Sequence, residues 1–138
     1  MISTKSLKNA FSILFQAEIQ KNAVVGDDSD VKFNINELMQ LNVDNSRLLI
    51  DDDARQLIIA VLENVNELDV SIQNALHNWK LSNLATSDRT ILRIGAYLIL
   101  YTDSDVATTI KSMRKLAETF SDQKAPSFVT GVLSNLQK

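Results

Sequence analysis

The sequence predicts an all-α fold, one compact bundle of about seven helices, and three observations carry the prediction. Gly and Pro are scarce, three and one in 138 residues, whereas the many turns of a sandwich or barrel are built from them. No segment alternates apolar and polar residues with the period of two that marks a half-buried strand. Apolar residues recur instead at the spacing of one helix face along most of the chain. A composition of 45% hydrophobic and 22% charged residues is ordinary for a globular protein. The length suits a single domain, 1–138, with a proper core.

Leu7, Ala10, Phe11, Leu14 and Phe15 share the face of a first helix, which Ser3, Thr4 or Ser6 is placed to cap. Val25–Phe33, with Gly26 and an acidic run, reads as a loop, and Asn36–Leu41 as a short helix. Asp51, Asp52 and Asp53 precede the helical pattern Leu57, Ile58, Val61, Leu62, Val65, Leu68. Carboxylates there favour exposed helix N–H groups. Three consecutive positions diverge around a helix, so capping is a better reading than metal binding. Asp69 or Ser71 is expected to open the next helix, with Ile72, Ala75, Leu76 and Trp79 inward.

Ser87 and Asp88 are expected to cap the most apolar stretch of the chain, in which Arg93 is the one charge between Ile91 and Tyr101. This run is shorter than the roughly 20 residues that cross a bilayer, so it reads as a central helix buried on most sides. A guanidinium does not deprotonate and is very costly to bury unpaired. The Arg93 stem is therefore expected in the core, with its head on a carboxylate, a helix C-terminus or the surface. Gly95, inside the same helix, predicts a close helix approach. Asp105 precedes a helix carrying Val106, Ile110, Met113, Leu116, Ala117 and Phe120. Pro126 suits the first position of a last helix with Val129, Val132, Leu133 and Leu136.

Net charge is −3, with twelve acidic against six basic residues over 1–79 and five against eight over 80–138. A nucleic-acid binder of this composition has to act through a local patch. There is no Cys, which excludes disulfides and thiolate metal sites. The single histidine, His77, has no nearby acid at helical spacing, and no GxGxxG, P-loop or HExxH pattern occurs. No catalysis, metal or cofactor is expected. Met1–Gln20 is too polar for the apolar core of a secretory leader, and a cytoplasmic protein with no membrane association is the expectation.

Several motifs follow one another in a particular order. Trp79 and Leu81 form a Trp-x-Leu element, followed by Asp88, Arg89, Leu92, Arg93 and Tyr97 in "DRTILRIGAY". Leu116, Ala117 and Phe120 come next, and then Phe128, Val129, Gly131, Val132 and Leu133 in "FVTGVL". Together with the N-terminal "AFSILFQAEI" this series resembles the NusB family of bacterial transcription antitermination factors. The resemblance implies two helical subdomains and a non-enzymatic role. It implies binding of boxA-type single-stranded RNA from ribosomal leader transcripts, jointly with the small-subunit ribosomal protein NusE. The RNA polymerase elongation complex is then an indirect partner. Some relatives are homodimers, and a protein-interaction module with little RNA affinity is the alternative reading.

The sequence departs from the family pattern at contact positions. An arginine-rich N-terminal cluster is reduced to Lys5 and Lys8 within Ser3–Lys8; I-N-E-A is Ile110-Lys111-Ser112-Met113; the Asn of F-V-N-G is Thr130; and the Glu after the helix tyrosine is Leu98. Fewer phosphate contacts mean weaker binding and a flatter salt dependence. The candidate RNA-binding residues are Lys5, Lys8, Lys111, Lys115, Lys124 and Phe128, with Arg114 on the same helical face as Lys111. Lysines on amphipathic helices are equally read as solvated charge, and Phe128 either stacks on a base or packs in the core. Phe15, Ile19 and Asp88 sit where the resemblance places NusE contacts. For Phe15 and Ile19 the alternative is core packing, and for Asp88 a helix cap.

Overall fold

The computed structural model describes residues 2–23, 38–40, 42–43 and 50–136. Six helices carry them: α1 (Thr4–Ala23), α2 (Asp52–Glu63), α3 (Val65–Ala75), α4 (Thr86–Tyr101), α5 (Val106–Phe120) and α6 (Ala125–Ser134). A single 3-10 turn, Leu81–Asn83, lies between α3 and α4, and residues 38–40 and 42–43 are also helical. No strand occurs among the described residues. The expected loop at Val25–Phe33 and most of the acidic middle lie outside the described residues, as do Asn36, Glu37 and Leu41 of the expected short helix. The chain divides into two units, 2–58 and 59–138, with the division inside α2.

In the unit 59–138 the apolar run is helix α4, and it packs against α3, α5 and α6. Its buried residues include Ile91, Leu92, Ile94, Gly95, Ala96, Leu98 and Ile99. That burial is why so few polar residues are tolerated between Ile91 and Tyr101. A Cβ placed on Gly95 would meet Leu133 Cδ1 at 2.8 Å and Met113 Cγ at 2.9 Å. Both neighbours are buried, so only a hydrogen at this position lets α5 and α6 come this close to α4.

The two arginines at the start of α4 are held by different partners. Arg93 donates from Nε to Asp69 Oδ1 at 2.8 Å and from Nη2 to Asp69 Oδ2 at 2.9 Å. Both bonds of this fork run between α4 and α3, and the Arg93 side chain is 14% exposed. Arg89 is 8% exposed. Its Nη1 donates to the carbonyl of Leu84 at 2.8 Å, and more weakly to that of Ser82 at 3.4 Å. It thereby ties the start of α4 to the chain in and just after the 3-10 turn.

In the unit 2–58, α1 buries Leu7, Ala10, Phe11, Ile13 and Leu14; of the face predicted from spacing Phe15 is only half-buried, and Ile13 is added to it. Asp51 caps α2 by accepting from the Ala54 N–H at 2.8 Å, and its other oxygen accepts from Ser6 Oγ of α1 at 2.6 Å. Gln16 and Asn42 exchange amide hydrogen bonds of 2.9 and 3.1 Å, and Asn42 also donates to the Leu38 carbonyl.

Four boundaries differ from the sequence expectation. The pattern Leu57–Leu68 is not one helix, because the chain turns at Asn64, whose side-chain amide takes the Ala60 carbonyl at 2.7 Å. The next helix therefore starts at Val65, and Asp69 and Ser71 lie within it. Helix α4 starts at Thr86 with Ala85 in the cap position, so neither Ser87 nor Asp88 caps it. Helix α6 starts at Ala125, which puts Pro126 second. The Asp105 cap of α5 is present, with its carboxylate accepting from Thr108 N at 2.9 Å.

Candidate nucleic-acid interface

The candidate RNA-binding residues fall into three short groups. Lys5 and Lys8 lie in the first turns of α1, both exposed. Lys5 stands near Asp51, whose carboxyl is held below the ordinary aspartate range. The hydrogen bond from Ser6 is the largest cause, the Ala54 N–H adds to it, and the Lys5 charge contributes last. Part of the Lys5 field is thus matched within its own unit. Lys111 and Lys115 are one turn apart and exposed on α5. Arg114, beside them, pairs with Glu118 at 3.7 Å, so the lysines carry the uncompensated charge of that face. Lys124 is exposed at the cap position of α6. Phe128 lies one turn further on, its N–H bonded to the Lys124 carbonyl at 3.2 Å.

Phe128 is neither fully buried nor fully exposed. It meets Trp79 edge-on, with ring centroids 6.3 Å apart and planes at 78°. Trp79 is not inward as its spacing predicts: it is 58% exposed. The reason is local, because α3 ends at Ala75 and Leu76 takes an extended backbone, so helical spacing does not carry to residue 79. His77 is likewise exposed beyond the helix end, with Nε2 3.4 Å from the Asn135 amide.

Of the three candidate partner-binding residues, Ile19 is 45% exposed near the end of α1. Phe15, one turn earlier, is half-buried and stacks on Phe11 at 5.6 Å. Asp88 belongs to the other unit. Its Oδ1 accepts from Ser121 Oγ at 2.6 Å, which joins the first turn of α4 to the end of α5. This replaces the capping role expected for it.

Sequence reasoning missed three features of this surface. It did not single out Arg89 as buried, although the cost of burying a guanidinium that directs attention to Arg93 applies one turn earlier as well. It did not connect Asp69 with Arg93. It also missed the Gln73 side chain, which brackets the Trp79 backbone. Among the described residues no group of three His, Asp or Glu side chains is arranged to hold a metal ion. No helix of the described residues is long and apolar enough to cross a membrane.

Comparison with known proteins adds an independent line. The family model described as the NusB family matches residues 4–138. The transcription antitermination protein NusB of Bacillus licheniformis is 40% identical over 114 residues, 80% of this chain and 84% of that protein. The protein of the same name from Bacillus subtilis is 36% identical over 131 residues, 94% of this chain and 90% of its own length. A crystal structure of antitermination factors NusB and NusE in complex with dsRNA superposes with a TM-score of 0.75 at 24% identity, over 95% of this chain and 92% of that one. T. maritima NusB gives 0.72 at 24%, over 96% of this chain and 89% of that one. At that identity the superpositions speak to fold alone. The fold, the ordered motifs and the near full-length identity agree, and the chain belongs to the NusB family.

Proposed function

We propose that this protein is an RNA-binding transcription antitermination factor that binds boxA-type single-stranded RNA together with NusE. It acts on the RNA polymerase elongation complex through that pair, as a single non-enzymatic domain over 1–138 in the cytoplasm. The observation that carries the reading is 36% identity to a protein named for transcription antitermination, over an alignment that covers 94% of the chain. The surface supports it: Lys111 and Lys115 on α5, Lys124 before α6 and Lys5 and Lys8 on α1 are exposed cations on a chain of net charge −3. Such local charge is what a phosphate backbone recruits. Phe15, Ile19 and Asp88 are the residues we assign to the protein partner.

A second reading, a protein-interaction module or homodimer with little RNA affinity, is favoured by the N-terminal segment, where Lys5 and Lys8 are the only cations before Lys21. Titration of labelled boxA RNA, with and without NusE and at two salt concentrations, separates the two. The first reading expects binding that strengthens with NusE and weakens with salt. Absence of binding in all four conditions favours the second.

A further inference from the structure

The exposed Trp79 is at odds with the care taken to hold its backbone. Gln73 on α3 donates from Nε2 to the Trp79 carbonyl at 2.9 Å and accepts the Leu81 N–H on Oε1 at 2.9 Å. One side chain thus grips the chain on both sides of residue 80. The segment is fixed at its other end by burial of Leu76 and by the His77–Asn135 contact. Yet the largest apolar side chain of the molecule projects from this anchored segment, more than half exposed. Its ring neighbour among the described residues, Phe128, meets it edge-on. In an edge-to-face pair the edge of one ring covers at most one face of the other, so Trp79 keeps at least one broad face clear of Phe128.

We propose that Trp79, backed by Phe128, is a stacking platform for one unpaired base of the RNA; the proposal rests on the RNA-binding reading above and adds a contact that charge alone does not supply. Three features select a base over a protein surface as the occupant. The sequence neighbours of Trp79 are polar and exposed (His77, Asn78 and Lys80), unlike the apolar surroundings of an anchor at the centre of a protein interface. Lys80 is adjacent in sequence, and Lys124 lies one turn before Phe128 on α6; both are exposed. A base on the platform would therefore have its phosphates near cations. The one carboxylate at the start of α6, Asp122, is engaged through Oδ1 by the N–H groups of Lys124 and Ala125. Aromatic side chains flanked by cations are the arrangement that holds single-stranded nucleic acid, with stacking setting the base contact and lysines following the backbone.

Trp79 is the only tryptophan in the chain, so its emission reports this position alone. The experiment titrates the intact protein with single-stranded boxA RNA and with a ribose-phosphate chain of equal length lacking bases. Binding is followed by anisotropy of a dye on the RNA and, separately, by tryptophan emission. Quenching by the RNA and not by the abasic chain is expected. Trp79→Ala should weaken RNA binding roughly five- to a hundred-fold and leave the slope of log affinity against log salt unchanged. Lys124→Ala should flatten that slope by about one counterion. Trp79→Phe should recover part of the lost affinity. Unchanged melting of Trp79→Ala confirms that the fold is not the cause of its effect. RNA that binds by anisotropy without quenching, and with equal affinity for Trp79→Ala, overturns the platform and leaves the RNA-binding reading standing. No anisotropy change with or without NusE overturns both. A Trp79→Ala variant that loses NusE while binding RNA normally makes the ring a protein contact and overturns the platform alone.

Discussion

The two units fasten their helices with different chemistry. In 59–138 the ties include inward arginines, Arg93 forking onto Asp69 between α4 and α3 and Arg89 taking carbonyls of the preceding turn, beside one hydroxyl–carboxylate bond, Ser121–Asp88. In 2–58 the described cations Lys5, Lys8 and Arg55 are exposed, and the ties are a reciprocal amide pair, Gln16–Asn42, and a hydroxyl–carboxylate bond, Ser6–Asp51. The difference teaches how a chain of modest charge separates structural cations from recognition cations. Arginine, whose planar fork can be fully bonded within the protein, is used inside α4. Lysine, a hydrated point charge, is left outside on α5 and before α6. A residue-count view of basicity in 80–138 merges the two, although only the second set is available to phosphate.

The largest effect that tests this comparison is expected at Asp69. Asp69→Ala takes both fork bonds from a guanidinium that is 14% exposed. Breaking a fully buried ion pair costs about 3–5 kcal/mol. Asp69 is itself 31% exposed, so the expected loss in denaturant unfolding is smaller, about 2 kcal/mol. Arg93→Leu should cost less, because the carboxylate left behind can hydrate and an apolar side chain suits the helix. It should leave RNA affinity unaltered. An Arg93→Leu variant of normal stability that has lost RNA binding would move Arg93 from the structural to the recognition set.

These residues also show what a sequence discloses. That Arg93 needs a partner follows from the cost of burying its charge. That the partner is Asp69 does not follow, since the two are 24 residues apart and Asp69 stands where a helix start is equally plausible. Gly95 is legible because a glycine inside a helix costs about 1 kcal/mol against alanine and calls for a packing reason. The Asp105 cap is legible, whereas the cap expected at Ser87 or Asp88 falls at Ala85 instead, because periodicity places a helix end only to within a few residues. For the site, helical spacing picks out Lys111 and Lys115. It mislays Trp79, since periodicity extrapolates a helix through Leu76, where the backbone has already become extended.

A smaller effect is expected from the neutral tie of the first unit. Asn42→Ala removes its two bonds with Gln16 and the one to the Leu38 carbonyl. Net contributions near 1 kcal/mol per neutral hydrogen bond, partly offset by rehydration of Gln16, give an expected loss of about 1–1.5 kcal/mol. A double-mutant cycle with Gln16→Ala should return a coupling of about 0.5–1 kcal/mol. A loss larger than that of Asp69→Ala would invert the comparison and make the amide pair the stronger tie.

The smallest effect is a pH dependence in which the two units can be compared through one carboxylate each. Asp51 in the first unit and Asp105 in the second both have carboxyls held below the ordinary aspartate value of 3.8. For Asp51 the main cause is the Ser6 hydroxyl, followed by the Ala54 N–H. For Asp105 it is the Thr108 hydroxyl, followed by the Thr108 N–H. A lowered carboxyl binds fewer protons folded than unfolded, so stability rises with pH through this range. The contribution is complete above the unfolded value and is lost as pH falls from about 4 through the lowered folded values. Asp105→Asn keeps an oxygen for the Thr108 N–H and should flatten the stability profile below about pH 4 with little loss at neutral pH. Asp51→Asn also flattens the profile, but at neutral pH it should destabilise more when the amide nitrogen faces Ser6, because that nitrogen cannot accept the bond that joins α2 to α1. Stability measured by denaturant at pH 7 and at about pH 3 separates the two variants. Equal losses at pH 7 would show that the Ser6 bond adds nothing beyond the cap.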